Sequence, residues 1–270
     1  MEPNSDNCVV DPRAFHPEQE LSIGSRVDTF GHVTHHVVEN DKRAGVSVEK
    51  IYDEKHRLIR MQKRTPISRS ETAYDWRSGA VLRVFESASL SDGNSMTKEV
   101  VYGGDDRSNE SITVLSPSGE LVRKVEREFI GSRTTYQGQT EYANGGLPST
   151  TVNHKMDEAT GRLMRREQIQ WLHEGQRLLS ESFLFDSAGG LQTYTKTLYH
   201  QAAGPFIEER QLFDSRTQVL LKREITAFDR TGKQTRNDVL TYSDSGEIEV
   251  HDSHFFDKDG RDIAAVNPNR

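Results

Sequence analysis

The sequence has one cysteine, Cys8, so it can build neither an internal disulfide framework nor a cysteine-based zinc site. It has no apolar run long enough to cross a membrane as a helix. The opening stretch MEPNSDNCVVDPRAFHPEQE carries no basic segment followed by an apolar one, so no secretory leader is read there and a cytoplasmic protein is expected. Basic charge is also scarce. The 35 Lys and Arg are outnumbered by 42 Asp and Glu, for a net charge of −7, which argues against a general binder of nucleic acid or of anionic membranes. Hydrophobic residues make up only 33% of the chain, well short of the near-half share of compact domains. No G-x-S-x-G elbow and no glycine-rich phosphate loop occurs. No cofactor is expected, and the reading leans away from an enzyme.

What the sequence does have is a step. Met156, Trp171, Phe185, Tyr199, Phe213, Phe228, Tyr242 and Phe256 follow one another at intervals of 14 or 15 residues. Most lead into a turn of related shape, such as MDEATG, FDSAG, FDRTG, YSDSG and FDKDG. The Asp or Ser after the anchor can accept hydrogen bonds from turn amides, and the Gly supplies the positive φ that closes the turn. Phe213 keeps the Asp but leads into FDSRTQ, without Gly, and Tyr199 leads into a longer loop, HQAAGP. Between anchors, residues alternate with a period of two: Val219, Leu221, Ile225 and Ala227 share a face against Lys222, Glu224 and Thr226.

The first half repeats less cleanly, with anchors at Tyr52, Tyr74, Tyr102, Leu115, Phe129 and Tyr142 and a loop expected at Ser87–Ser95. Residues 1–20 are expected to be irregular, and Leu21–Lys50 to hold two strands, one near Arg26–Val38 and broken at Gly31. The fold class is therefore all-β: a long antiparallel meander of 14–15-residue strand-turn units forming a curved, partly open sheet. No linker marks a cut, so residues 21–270 are expected to be one repeat-built domain of roughly fourteen to eighteen strands. Segments such as KQTRND and EIEVHDSH are polar on both faces, which suits a wet sheet better than a sandwich core.

The strings IYDEKHRL, MDEATGRL, AFDRTGKQ and FFDKDGRD resemble the YD repeats of the Rhs family, and also the turns of MORN-type (YwqK-like) antitoxin repeats. The step here is shorter than in either family, and Gly-Arg-Leu does not follow every turn. The resemblance implies a scaffold: YD repeats form shells around toxin domains, and MORN-type proteins bind partners. A second likeness, in architecture only, is to carriers that curl an antiparallel meander around an apolar ligand, a fold that some natural-product enzymes share.

Candidate sites are few. His32, His35 and His36 lie close together in GHVTHHVVEN; on one continuous strand His32 and His36 would share a face near Glu39 and could hold a metal or relay a proton. An ordinary polar strand is the competing reading. His251 and His254 fall on opposite faces and cannot form a pair. The repeated Asp residues fit a turn role rather than acid–base work. FFDKDGRD lacks the acidic twelfth residue of a calcium loop, where Pro268 stands, so no metal is expected there. Trp171, an anchor, is expected in the core. Trp76, in YDWRSG, is expected at the surface, where an exposed Trp is a common contact residue. The expected function is a non-catalytic protein-interaction or scaffold module, with a protein partner and self-association through sheet edges. The alternative is a carrier of, or pathway enzyme for, an apolar small molecule on the concave face.

Overall fold

Each anchor closes a strand because the residues after it are built to turn. In the computed structural model, Met156 is followed by Asp157, whose Oδ1 accepts the N–H of Ala159 at 3.1 Å, the N–H of Thr160 at 2.7 Å and the Thr160 hydroxyl at 2.8 Å. Gly161, at φ +74°, then donates its N–H to the Asp157 carbonyl at 2.8 Å. Asp53, Asp75, Asp186, Asp214, Asp229 and Asp257 hold their turns in the same way. Ser116 and Ser243 replace the carboxylate with a hydroxyl that accepts the N–H of Glu120 or Glu247 at 3.1 Å.

The turns come in two lengths. In the longer one the Asp N–H reaches the carbonyl five residues on, as from Asp157 to Arg162 and from Asp214 to Val219. In the shorter it reaches four, as from Asp186 to Gly190. The two 15-residue steps, Met156 to Trp171 and Phe213 to Phe228, follow the longer turns. In FDSRTQ, Gln218 takes the glycine's place at φ +61°, and His56 does so at φ +59° in YDEKHR. A left-handed residue with a side chain costs roughly 1–2 kcal/mol. Gln218 sets against this a hydrogen bond from its Nε2 to the Ser215 carbonyl at 2.6 Å.

The structure describes residues 18–266 apart from 30, 144, 173–174 and 201–203, so Cys8, the lead-in through residue 17 and the core of the loop after Tyr199 lie outside it. Contacts group the chain into two units, Met1–Leu90 with Thr97–Val101, and Ser91–Met96 with Tyr102–Arg270. The first holds β1 (Gln19–Val27), β2 (Val33–Asp41), β3 (Val46–Tyr52), β4 (Leu58–Arg64), β5 (Ser68–Tyr74) and β6 (Val81–Ser89). Residues of β7 (Ser95–Tyr102) fall in both units. The second continues with β8 (Arg107–Leu115), β9 (Leu121–Ile130), β10 (Arg133–Tyr142), β11 (Pro148–Met156), β12 (Leu163–Trp171) and β13 (Arg177–Phe185). It ends with β14 (Leu191–His200), β15 (Gly204–Phe213), β16 (Leu220–Phe228), β17 (Gln234–Tyr242), β18 (Ile248–Phe256) and β19 (Asp262–Val266).

The fold class is all-β, and within each unit every strand pairs antiparallel with its neighbours in sequence. Among the described residues there is no helix, hence none long and apolar enough to cross a membrane. Four sequence expectations need correction. Leu21–Lys50 holds one complete strand, β2, and most of β1 and β3, because Asp28 and His32 close a turn where a broken strand was expected. Gln19 and Glu20 belong to β1 rather than to the irregular lead-in, and Ser87–Ser89 belong to β6 rather than to a loop. Trp171 is only half-buried, its indole N–H donating to Thr151 Oγ1 at 3.0 Å.

Both faces of these sheets are wet. The buried apolar side chains among the described residues are Ile51, Val114, Val125 and Ile169, and they are outnumbered by buried polar ones, including His36, Gln62, Thr197, Asp238 and Ser253. Within each unit, strand contacts among the described residues run between sequence neighbours. Cohesion comes from the ladders and from braces between successive turns at the same end of a unit. Arg162 donates to the Ser187 carbonyl at 2.7 Å, and Lys233 to the Lys258 carbonyl at 2.8 Å. Gly190 lies against the next turn so closely that a Cβ there would stand 2.0 Å from the Ser215 carbonyl oxygen.

Six turn carboxylates are held below the usual range. The largest cause is Arg57 at Asp53, the Thr160 and Thr231 hydroxyls at Asp157 and Asp229, the Ser215 side chain at Asp186, and the backbone N–H of Ser78 and Thr217 at Asp75 and Asp214. A depressed folded-state pKa gives stability that is complete above the unfolded value, near pH ~4, and is lost as pH falls through the folded value. The urea midpoint is therefore expected to hold steady for this contribution above about pH 5 and to fall in the acid range below ~4. Asp157→Asn with Asp214→Asn, which keep an acceptor oxygen but do not titrate, should make that acid fall shallower. An unchanged acid branch in the double variant would contradict the role given to these carboxylates.

Candidate functional site

At one end of the first unit three successive turns stand side by side: residues 28–32, 53–57 and 75–80. They are tied together. Glu54, in the second, accepts the N–H of Val33 just past the first at 3.2 Å, and Arg57 of the second reaches the third. Trp76 lies in the third turn, which Asp75 fixes by accepting the N–H of Arg77 at 2.9 Å and that of Ser78 at 2.7 Å. Trp76 is 46% exposed. Two guanidinium carbons, of Arg57 and Arg77, each sit 4.6 Å from its ring centroid. Arg57 is itself held by Asp53, with Nη2 to Oδ2 at 2.6 Å and Nε to Oδ2 at 2.8 Å. Such cation–π contacts contribute about 0.5–1 kcal/mol each at exposed positions. They flank a large aromatic side chain at the surface.

The two candidate histidines are not brought together. His32 belongs to the first turn, not to a strand; its Nδ1 lies 3.0 Å from Asp28 Oδ2, and both side chains are well exposed. His36 is buried in β2, opposite Ile51 of β3. Its Nδ1 is 2.8 Å from Glu49 Oε1 and its Nε2 is 3.0 Å from Thr34 Oγ1. A carboxylate oxygen accepts, so Nδ1 carries the proton of that bond. His35 stacks on His56 with ring centroids 4.6 Å apart, and Glu39 pairs with Lys50 at 2.9 Å. Among the described residues no group of three or more His, Cys, Asp or Glu is arranged to hold a metal ion.

One face of the second unit carries a polar network that the sequence reading passed over. Tyr194 on β14 donates to Glu181 on β13 at 2.6 Å, and burial first, then Glu181, pushes its hydroxyl pKa upward. Glu209 on β15 accepts from Gln211 at 2.6 Å and from Arg223 on β16 at 2.8 Å. Burial works to raise the Glu209 pKa, but these bonds and the charges of Arg223 and Lys196 outweigh it and hold the carboxyl below its usual range. Tyr194 stays protonated and Glu209 ionised, so neither is poised to exchange a proton near neutral pH. Nearby, Ser253 Oγ donates straight to Asp238 Oδ1 at 2.6 Å while His251 Nε2 stands off at 3.5 Å. A nucleophile relay needs the histidine between Ser and Asp, so this set joins strands rather than activating a hydroxyl. His254, on the opposite face, pairs with Asp262 at 2.7 Å.

A signal for these contacts was present. Residues near mid-strand that lie about one step apart fall diagonally across the ladder on the same face, as do His36 and Glu49, Glu181 and Tyr194, and Glu209 and Arg223. The stacking of Arg57 on Trp76 had no such signal, because it joins turns that are two strands apart.

No protein-family model matches the chain, and no curated protein matches it either. Among solved structures it is similar to a porin-like protein from Bacteroides uniformis, at 8% identity and a TM-score of 0.20 over 92% of this chain and 93% of that one. It is also similar to TcdB2-TccC3, at 12% identity and a TM-score of 0.13, covering 93% of this chain and 22% of that one. The Photorhabdus luminescens Tc holotoxin pore matches at 9% identity and a TM-score of 0.14, over 93% of this chain and 21% of that one. Scores this low carry no argument about the site.

The two histidines should separate by stability. His36→Ala leaves Glu49 without its partner inside the sheet and is expected to cost about 1–3 kcal/mol in urea unfolding. His32→Ala, at an exposed turn, should stay within about 0.5 kcal/mol. Equal effects would contradict the placement of His36 as an internal brace.

Proposed function

We propose that the chain is a non-catalytic protein-interaction module whose contact surface centres on Trp76, with the guanidiniums of Arg57 and Arg77 beside it and His32 at the rim. The observation that carries this reading is the half-exposed indole held by two arginines on carboxylate-fixed turns. Trp and Arg are the residues that most often dominate binding energy, and an anchor that is already ordered loses little entropy on docking. The guanidiniums favour a partner that places a carboxylate against the indole. His36 serves this surface only by holding β2.

The wet sheet faces support the same reading, because few apolar side chains among the described residues are buried. An apolar-ligand carrier is less well supported. The depression of about 310 Å³ on the second unit is lined by Arg165, Arg210, Glu208, Thr193 and Thr195, with Leu184 the one large apolar side chain.

The test is affinity purification with the full chain as bait, followed by measurement of the retained partner's Kd. Trp76→Ala is expected to weaken binding by roughly 30-fold or more, as for a central hot spot, and Arg77→Glu to weaken it as well. A partner that binds both variants as tightly as the native chain would overturn the assignment.

A further inference from the structure

Among the described residues the first strand pairs on one side only, with β2, and its other edge lacks the usual protections. All nine residues of β1 are exposed, including Leu21, Ile23 at 72% and Val27 at 66%. It pairs with β2 from Gln19↔Asp41 to Val27↔Val33 without a bulge, and it holds no proline and no lysine. Edge strands of this kind are normally blunted by such devices.

Its hydrogen-bonding phase is fixed at both ends. Lys42 donates its N–H to the Glu18 carbonyl and Asp28 donates its N–H to the His32 carbonyl, each at 3.0 Å. Residues 18 and 28 thus point their backbone groups at β2, and by alternation so do the even positions between them. Gln19, Leu21, Ile23, Ser25 and Val27 turn their N–H and C=O groups to the open edge.

We propose that this edge pairs with β1 of a second copy of the chain, antiparallel, about a two-fold axis at Ile23. In that register Ile23 faces its own counterpart, Leu21 faces Ser25 and Gln19 faces Val27. Every outward N–H then meets an outward C=O. The even residues form the close, non-hydrogen-bonded pairs, and there Glu20 faces Arg26 of the other copy twice over. Within its own chain Glu20 also meets Lys42, which lies beside it. Sliding the register so that the axis falls at Gly24 would instead set Glu20 against Asp28, like charge against like. Charge complementarity thus selects the second copy and its register together. A single strand pair is a small interface, so the dimer is expected to depend on concentration.

Sedimentation of the full chain over a micromolar-to-millimolar series tests this. The native chain should move from 30.7 kDa towards twice that mass and no further. Ile23→Pro removes an outward N–H but none that bonds to β2, and should abolish the dimer while leaving the circular dichroism unchanged. Glu20→Arg and Arg26→Glu should each raise the dimer Kd about tenfold or more by placing like charges opposite. An equimolar mixture of those two variants should restore dimer, because each pair is then Arg against Glu. A native chain that stays monomeric, species larger than a dimer, a dimer that survives Ile23→Pro, or a mixture that fails to recover would each overturn the proposal.

Discussion

The Asp or Ser that follows most of the anchors settles which residues of neighbouring strands face each other. In most β proteins a buried face does this, because a slip by one residue would turn every apolar side chain outwards. Here both faces are half-exposed and similarly polar, and a slip would cost little in burial. The turn supplies the missing constraint. Asp157 and its equivalents accept two N–H groups within the turn, and the ladder shifts register at the anchor itself, as between Lys155 and Met156 or between Ala227 and Phe228. A bulge of this kind pins the pairing of the strand that follows.

Much else follows from having turns in place of a core. Stability becomes close to a sum of nearest-neighbour terms, as in repeat proteins. Polar side chains are tolerated inside the sheet because their partners lie on the next strand, as with His36 and Glu49 or Ser253 and Asp238. Burial of His36 and Asp238 is thereby explained without chemistry. The residues proposed for recognition are on turns and edges: Trp76 with its two arginines, and the exposed row of Leu21, Ile23 and Val27.

The sequence made the architecture legible because turn chemistry is local. Tyr52, Tyr74, Tyr102, Leu115, Tyr142, Met156, Trp171, Phe185, Phe213, Phe228, Tyr242 and Phe256 each end a strand, as their Asp/Gly turns imply. Where the Asp/Gly turn follows no aromatic anchor, as at residues 28–32 after Val27, or where the signature is missing, as at Thr65–Ser68, the strand boundaries were hidden, and the described residues form 19 strands. The site was only partly legible. The exposure of Trp76 could be read from its place in a turn, but its contact with Arg57 depends on how two turns stack. The pairing of His32 with His36 failed for a related reason: Asp28 draws His32 into a turn and removes it from the strand on which the pairing relied.

The central claim, that turns and ladders hold this protein with little buried apolar surface, is tested most directly by the heat capacity change of unfolding. Globular domains average about 12–15 cal/mol/K per residue, chiefly from newly exposed apolar surface. Differential scanning calorimetry of the full chain should give a value clearly below that range. A value within or above it would mean that the chain buries an ordinary core, and would contradict the account.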